Sequence, residues 1–175
     1  MSLARASLAL GMLEPNSKLI KAAKAAAEAA DAPVVGGVAV FLHGYRRTTE
    51  DVNLFAAEPT QVRDRLREAG AIWNAKRREF SCDGVPIHLV TSEQTGSPPE
   101  HVSLIQGVPV VGLPDLIRFK LHSGLKNLNR AKDLADVVEL IRRVPLDKRF
   151  AAKLPRNQRA AFKRIVDSVH GDSRR

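Results

Sequence analysis

A glycine pair, Gly36-Gly37, is followed after thirteen residues by Asp51-x-Asn53, and the two together have the makings of a polyphosphate site. Glycines at the start of a helix let main-chain N–H groups come close to phosphate oxygens, and oxygen-bearing side chains opposite can hold a divalent ion. Between them lie Arg46, Arg47, Thr48 and Thr49, on a loop whose arginines can grip phosphate. A second group, Lys120, Arg130, Lys132, Asp133 and Asp136, comes much later. On one helix Lys132 and Asp136 are four residues apart and Asp133 is one turn from Asp136, so they share a face. Plainer readings stand beside these. The glycines can serve a tight strand-to-helix turn, Asp51 can cap a turn, and the later group can be a surface salt-bridge network. Asp83 is fully explained by an Asp-Gly turn.

These residues need elements to position them. Asn16 or Ser17 can cap a helix to about Ala30, with Leu19, Ile20, Ala23, Ala27 and Ala30 at helical spacing. Val34 and Val35 read as a short central strand, residues 38–43 as the helix leaving it, and 52–56 as the next strand. Pro59 suits the first turn of a helix that buries Val62 and Leu66 and stops at Gly70. Residues 71–75 and 78–82 read as strands joined by a basic turn, and Asp83-Gly84 as a hairpin turn into a strand over 85–90. Residues 91–100 read as loop. Residues 104–111 read as a last edge strand, because Pro109 would be tolerated only at an edge or bulge. Beyond Leu113 the pattern is helical: 114–122, 130–142, 151–154 and 157–170. The expected architecture is an α/β fold, a mixed sheet flanked by helices over residues 1–112, then a basic helical segment over 113–175.

The chain has 175 residues, 44% apolar and 27% charged, enough for one well-buried core. Its single cysteine, Cys82, excludes an internal disulfide framework and a multi-cysteine zinc site, and points to a reducing, cytoplasmic setting. No run approaches the roughly 18 apolar residues of a membrane span, and the Leu/Ala stretch over 2–12 reads as a lead-in helix rather than a signal peptide. The net charge of +9 is uneven: residues 142–175 hold eleven basic and three acidic residues, against seventeen and sixteen before them. Such a segment is either a solvated helix face or a surface for polyanions, RNA such as tRNA among them, or for a protein partner.

The pair Gly36-Gly37 with Asp51-x-Asn53 resembles the signature of the nucleotidyltransferase superfamily, the fold of DNA polymerase beta. In that family a Gly-Gly or Gly-Ser pair precedes Asp-x-Asp or Asp-x-Glu, and a third Asp lies on a later strand. The resemblance continues through Gly107-x-Pro109-Val110, Leu116-Ile117-x-x-Lys120-Leu121 and Arg130-x-Lys132-Asp133-x-x-Asp136. This second half is similar to bacterial nucleotidyltransferase-like proteins, among them toxins of abortive-infection and toxin–antitoxin systems.

The resemblance implies transfer of NMP from an NTP to a protein or RNA acceptor, with two Mg²⁺ ions held by three carboxylates. Gly36, Gly37, Arg46, Arg47 and Thr49 would then face phosphates, as would Lys120 and Lys132. Asp133 and Asp136 would border the nucleotide, and Asp51 would bridge the metals. The second and third carboxylate positions carry Asn53 and, on the strand over 85–90, His88. A neutral amide oxygen and an imidazole nitrogen are poor ligands for Mg²⁺; Asp51, Asn53 and His88 suit Mn²⁺ better, and His88 can equally be an ordinary sheet residue. The expectation is weakened or lost catalysis. The alternative is a catalytically inactive nucleotide- or RNA-binding regulator or toxin–antitoxin component.

Overall fold

The computed structural model describes residues 17–172, and the lead-in helix expected over 2–12 lies outside them. Helix α1 (Lys18–Ala30) starts where the Ser17 hydroxyl accepts the Ile20 N–H. Its alanines favour helix and let it lie close to the sheet, with Ala23, Ala26, Ala27 and Ala30 buried. It ends at Asp31 in the left-handed region. Strand β1 (Val34–Val35) runs directly into helix α2 (Gly36–Leu42). Strand β2 (Val52–Phe55) and helix α3 (Pro59–Glu68) follow, then strands β3 (Ile72–Asn74), β4 (Glu79–Cys82) and β5 (Val85–Val90). Asp83 and Gly84, both with positive φ, make the tight turn between β4 and β5.

Three expectations change beyond Val90. Residues 92–95, read as loop, form a short helix α4 (Ser92–Thr95) with a Thr91/Gln94 capping box. The single edge strand expected over 104–111 is a hairpin, β6 (Val102–Ile105) and β7 (Val108–Val111), turning at Gln106-Gly107. Pro109 therefore sits on an inner strand. It is tolerated because β1 is only two residues long and pairs with β7 at Val110, leaving position 109 without a partner on that side. Helix α5 (Leu113–Lys126) runs four residues past the expected stop at His122. Helix α6 (Ala131–Arg143) follows a 3₁₀ turn over Leu128–Arg130, and a 3₁₀ segment over Lys148–Lys153 leads to helix α7 (Arg156–Asp172).

The seven strands lie in the order β3-β4-β5-β2-β1-β7-β6. Pairs β1–β7 and β2–β5 are parallel and the others antiparallel, so the sheet is mixed. Helix α1 packs on α3 and on β2, β5 and β7, while α2 contacts β2 and α5, and α5, α6 and α7 pack on one another. One contiguous apolar core includes Val34, Leu54 and Ile87 of the sheet with Leu116, Ile117, Leu140 and Phe162 of the later helices. Where β1 meets β2, Val35 lies opposite Asn53, so the strand-to-helix turn at Gly36 faces the start of β2. That register places the two front motifs side by side.

Candidate functional site

Gly36 has φ +68°, a left-handed conformation that side chains resist, and a Cβ there would come within 3.0 Å of the Asn53 amide. At Gly37 a Cβ would lie 2.6 Å from Thr49 Oγ1 and 3.4 Å from Arg47 Nη2. The glycine pair is therefore fitted to the loop over 44–51 and to β2, which close over it. Beside it opens a cleft of about 680 Å³. Gly36, Gly37, Arg47, Thr49, Asp51, Asn53, Lys120, Lys132 and Asp133 all line it, so the residues expected from both halves of the sequence meet in one hollow. Arg46 is exposed and does not line the cleft, and neither does His88 or Asp136.

The Asp51 carboxylate is held from both sides within the chain. Its Oδ1 accepts the Thr49 hydroxyl at 3.0 Å, and its Oδ2 accepts the Asn53 side-chain N–H at 3.0 Å. His88, opposite Asn53 on β5, puts Nε2 3.8 Å from Asp51 and 3.5 Å from Glu79 on β4. Glu79 was not foreseen; the β4–β5 pairing brings it beside His88, and no motif marks it.

This donor set does not fit two divalent ions. Asn53 turns its amide N–H, not its oxygen, toward Asp51, and both Asp51 oxygens are already engaged. Among the described residues no group of three His, Cys, Asp or Glu side chains is arranged to hold a metal ion.

Three members of the later group, Lys120, Asp133 and Asp136, form a buried ion network, with Arg130 at its exposed edge. Lys120, with 8% exposure, puts Nζ 2.6 Å from Asp133 Oδ1 and 2.8 Å from Asp136 Oδ2. Arg47 Nη1 donates to both oxygens of Asp136, at 2.8 and 2.6 Å, and Arg130 Nε donates to Asp133 Oδ2 at 2.9 Å. Burial alone would raise the Asp133 carboxyl's pKa, but Lys120, Ser123 and Arg130 together hold it below the usual carboxylate range. Asp136 thus lies behind the cleft and ties the Arg47 loop to α6. Lys132 is exposed and has no ion pair among the described residues, although it shares a face of α6 with Asp136.

Apart from Leu116 and Arg130, the rest of the cleft comes from residues that no motif flagged. Val90, Leu116 and Phe119 give it an apolar wall; Glu93, His122 and Lys126 add charge and polarity. Residues 116, 119, 120, 123, 126 and 127 recur at three- and four-residue spacing, a helical stripe legible once α5 is seen to continue past His122. Burial, together with Lys126 and Arg118, lowers the His122 pKa. Five cationic side chains (Arg47, Lys120, Lys126, Arg130, Lys132) face the cleft against three carboxylates (Asp51, Glu93, Asp133). The lining therefore carries two more cationic than anionic side chains.

Two other side-chain groups are structural. His43 donates from Nε2 to the Val111 carbonyl at 2.8 Å, and burial lowers its pKa. Asp115 accepts the main-chain N–H groups of Glu100 and His101 and pairs with Arg118, which also donates to Ser97 and to the Pro98 carbonyl. That clamp fixes the segment between α4 and β6 against α5.

No protein-family model matches the chain, and no curated protein matches it. Among solved structures it is similar to an H. pylori protein described as a candidate nucleotidyltransferase, at 18% identity and TM-score 0.51, over 87% of this chain and 78% of that one. It also aligns with JHP933 from Helicobacter pylori, at 20% identity and TM-score 0.40, over 98% and 94% of the two chains. The first likeness, together with the mixed seven-stranded sheet flanked by helices, shows a nucleotidyltransferase-like fold. No helix among the described residues is long and apolar enough to cross a membrane.

Proposed function

We propose that the cleft binds the phosphate chain of a nucleotide on Arg47, Lys120 and Lys132, and that nucleotidyl transfer is weak or lost. The observation that carries this reading is the state of Asp51. The position that would bridge two metal ions is hydrogen-bonded to Thr49 and Asn53 instead, while cationic side chains line the same hollow. A guanidinium or ammonium group can neutralise phosphate charge without a divalent ion. Among the described residues Arg47 Nη2 makes no hydrogen bond and Lys120 Nζ has a third N–H, so both can take a ligand oxygen without breaking the ion network.

Calorimetry with ATP, GTP, CTP and UTP, in EDTA and again in Mg²⁺ or Mn²⁺, tests this. The expected result is binding that persists in EDTA, weakens with salt and falls with Lys132→Ala, with no transfer of an α-phosphate label to RNA or protein. Binding seen only with the divalent ion, accompanied by label transfer, would establish instead the enzyme that moves NMP to an acceptor. In the binding role the protein would act as a catalytically inactive nucleotide- or RNA-binding regulator or as a toxin–antitoxin component.

A further inference from the structure

The β3–β4 hairpin carries charge that the nucleotide cleft does not use. Its turn is Lys76-Arg77-Arg78, three consecutive exposed cations. Arg77 lies 3.7 Å from Glu79, whereas Lys76 and Arg78 have no ion pair among the described residues. Arg78 has φ +56°, a conformation that glycine or asparagine adopts far more readily than arginine. The turn thus carries a third cation at a position where the backbone alone favours glycine. The adjoining edge strand β3 has all three residues exposed in part and holds Trp73, the chain's sole tryptophan. Its ring, 39% exposed, packs on Phe80 at 4.8 Å between centroids.

From these observations we infer that the hairpin is a docking surface for the sugar-phosphate backbone of a single-stranded polynucleotide. Consecutive cations with an adjacent flat aromatic ring are the combination that grips an unpaired strand: phosphates take the charges and a base takes the ring face. The placement supports it. Strand β4 begins at Glu79 and runs antiparallel to β5, with Phe80 opposite Ile87. The turn therefore projects past the Leu89–Val90 end of β5, where Val90 lines the cleft. Nearby acids are engaged: Glu79 lies between Arg77 and His88, and Asp64 holds Arg67. The C-terminal segment, although richer in basic residues, is more dispersed; Arg142, Lys148 and Arg149 are paired with Glu139, Asp167 and Asp147.

Because Trp73 is the only tryptophan, its fluorescence reports docking at this surface alone. A single-stranded 12-nucleotide RNA, and its DNA counterpart, should quench it in the full chain. The variant Lys76→Ser/Arg77→Ser/Arg78→Gly should weaken binding about tenfold or more and flatten the slope of log affinity against log salt by about two. The charge-matched variant Arg156→Ser/Lys163→Ser/Arg164→Ser, on exposed positions of α7, should leave both unchanged. Arg78→Gly alone should raise the thermal midpoint while loosening the oligonucleotide, a pairing of effects that a structural role would not produce. Mononucleotide binding in the cleft should survive the hairpin substitutions, so this inference and the reading of the cleft fail separately. The inference is overturned if neither oligonucleotide quenches Trp73 in low salt, or if the α7 variant loses as much affinity as the hairpin variant. It is overturned as well if anionic lipid vesicles quench Trp73 and oligonucleotides do not.

Discussion

Removing the cation at the centre of the buried network, Lys120→Met, isolates its contribution. Methionine keeps most of the apolar stem and deletes the ammonium that lies 2.6 and 2.8 Å from two carboxylates. Breaking a buried pair by removing one partner costs about 3–5 kcal/mol, because the remaining charge is left uncompensated. Here Asp133 keeps Arg130 and Asp136 keeps Arg47, so the low end, about 3 kcal/mol, is expected. For a chain of this size that lowers the thermal midpoint by roughly 6–12 °C near neutral pH. The pH dependence carries a second signature. With its folded pKa depressed, Asp133 contributes stability that is fully present above its unfolded value of about 3.9 and lost as pH falls through the folded value. Without Lys120, burial acts on Asp133 with less opposition and its carboxyl shifts upward. The deficit of the variant should therefore shrink between pH 7 and pH 3. Adding Asp133→Asn to Lys120→Met should cost less than the sum of the two single changes, by about 1–3 kcal/mol of coupling. Urea denaturation of the four proteins at three pH values is the assay. A variant within about 0.5 kcal/mol of the parent at pH 7, with a pH-independent difference, would refute the reasoning.

Other outcomes follow from the same geometry. Asn53→Asp sets a second carboxylate 3.0 Å from Asp51 on a half-exposed site; it should cost about 1–2 kcal/mol after solvent screening, recovered on adding Mn²⁺, as thermal melts with and without the ion would record. Joining it with His88→Asp should raise Mn²⁺ affinity further in calorimetry, and no gain would mean that these positions do not surround a common point. Gly37→Ala drives a methyl group into Thr49 and should destabilise the fold by about 1–3 kcal/mol in urea titrations while weakening nucleotide binding. His43 has a lowered pKa, so the unfolded chain protonates first and stability falls as pH drops through about 6.5. In His43→Gln, whose amide can still donate to the Val111 carbonyl, the loss of stability between pH 7 and pH 5 should be smaller by thermal melts.

Much of the fold was legible because local chemistry dictates it. The alanine-rich run capped by Ser17 makes α1, Pro59 opens α3, Asp83-Gly84 turns a hairpin, and the apolar stripe Leu134, Val137, Val138, Ile141 marks α6. The glycine pair and Asp51 were legible as a unit for the same reason, since their residue types are unusual at that spacing. What failed were boundaries set by pairing or packing. Pro109 argued for an edge, yet β1 is too short to need a donor from it. Thr91 and Gln94 form a capping box inside a stretch whose glycine and prolines suggested only loop.

The sequence by itself determined which groups this protein can bring to bear: a glycine pair, an aspartate with an asparagine two residues on, a histidine on a later strand, and a surplus of lysine and arginine. Only the tertiary structure decided how they are used. Burial of Lys120, Asp133 and Asp136 turned charges that would cost little to separate in water into a tightly paired network, because desolvation makes an unmatched charge expensive. The two-residue pleat sets Asn53 beside Asp51, where its amide donates to the carboxylate, and strand register sets Glu79 beside His88. The second neighbour cannot be read from spacing along the chain, since pairing partners in a sheet are chosen by the whole fold.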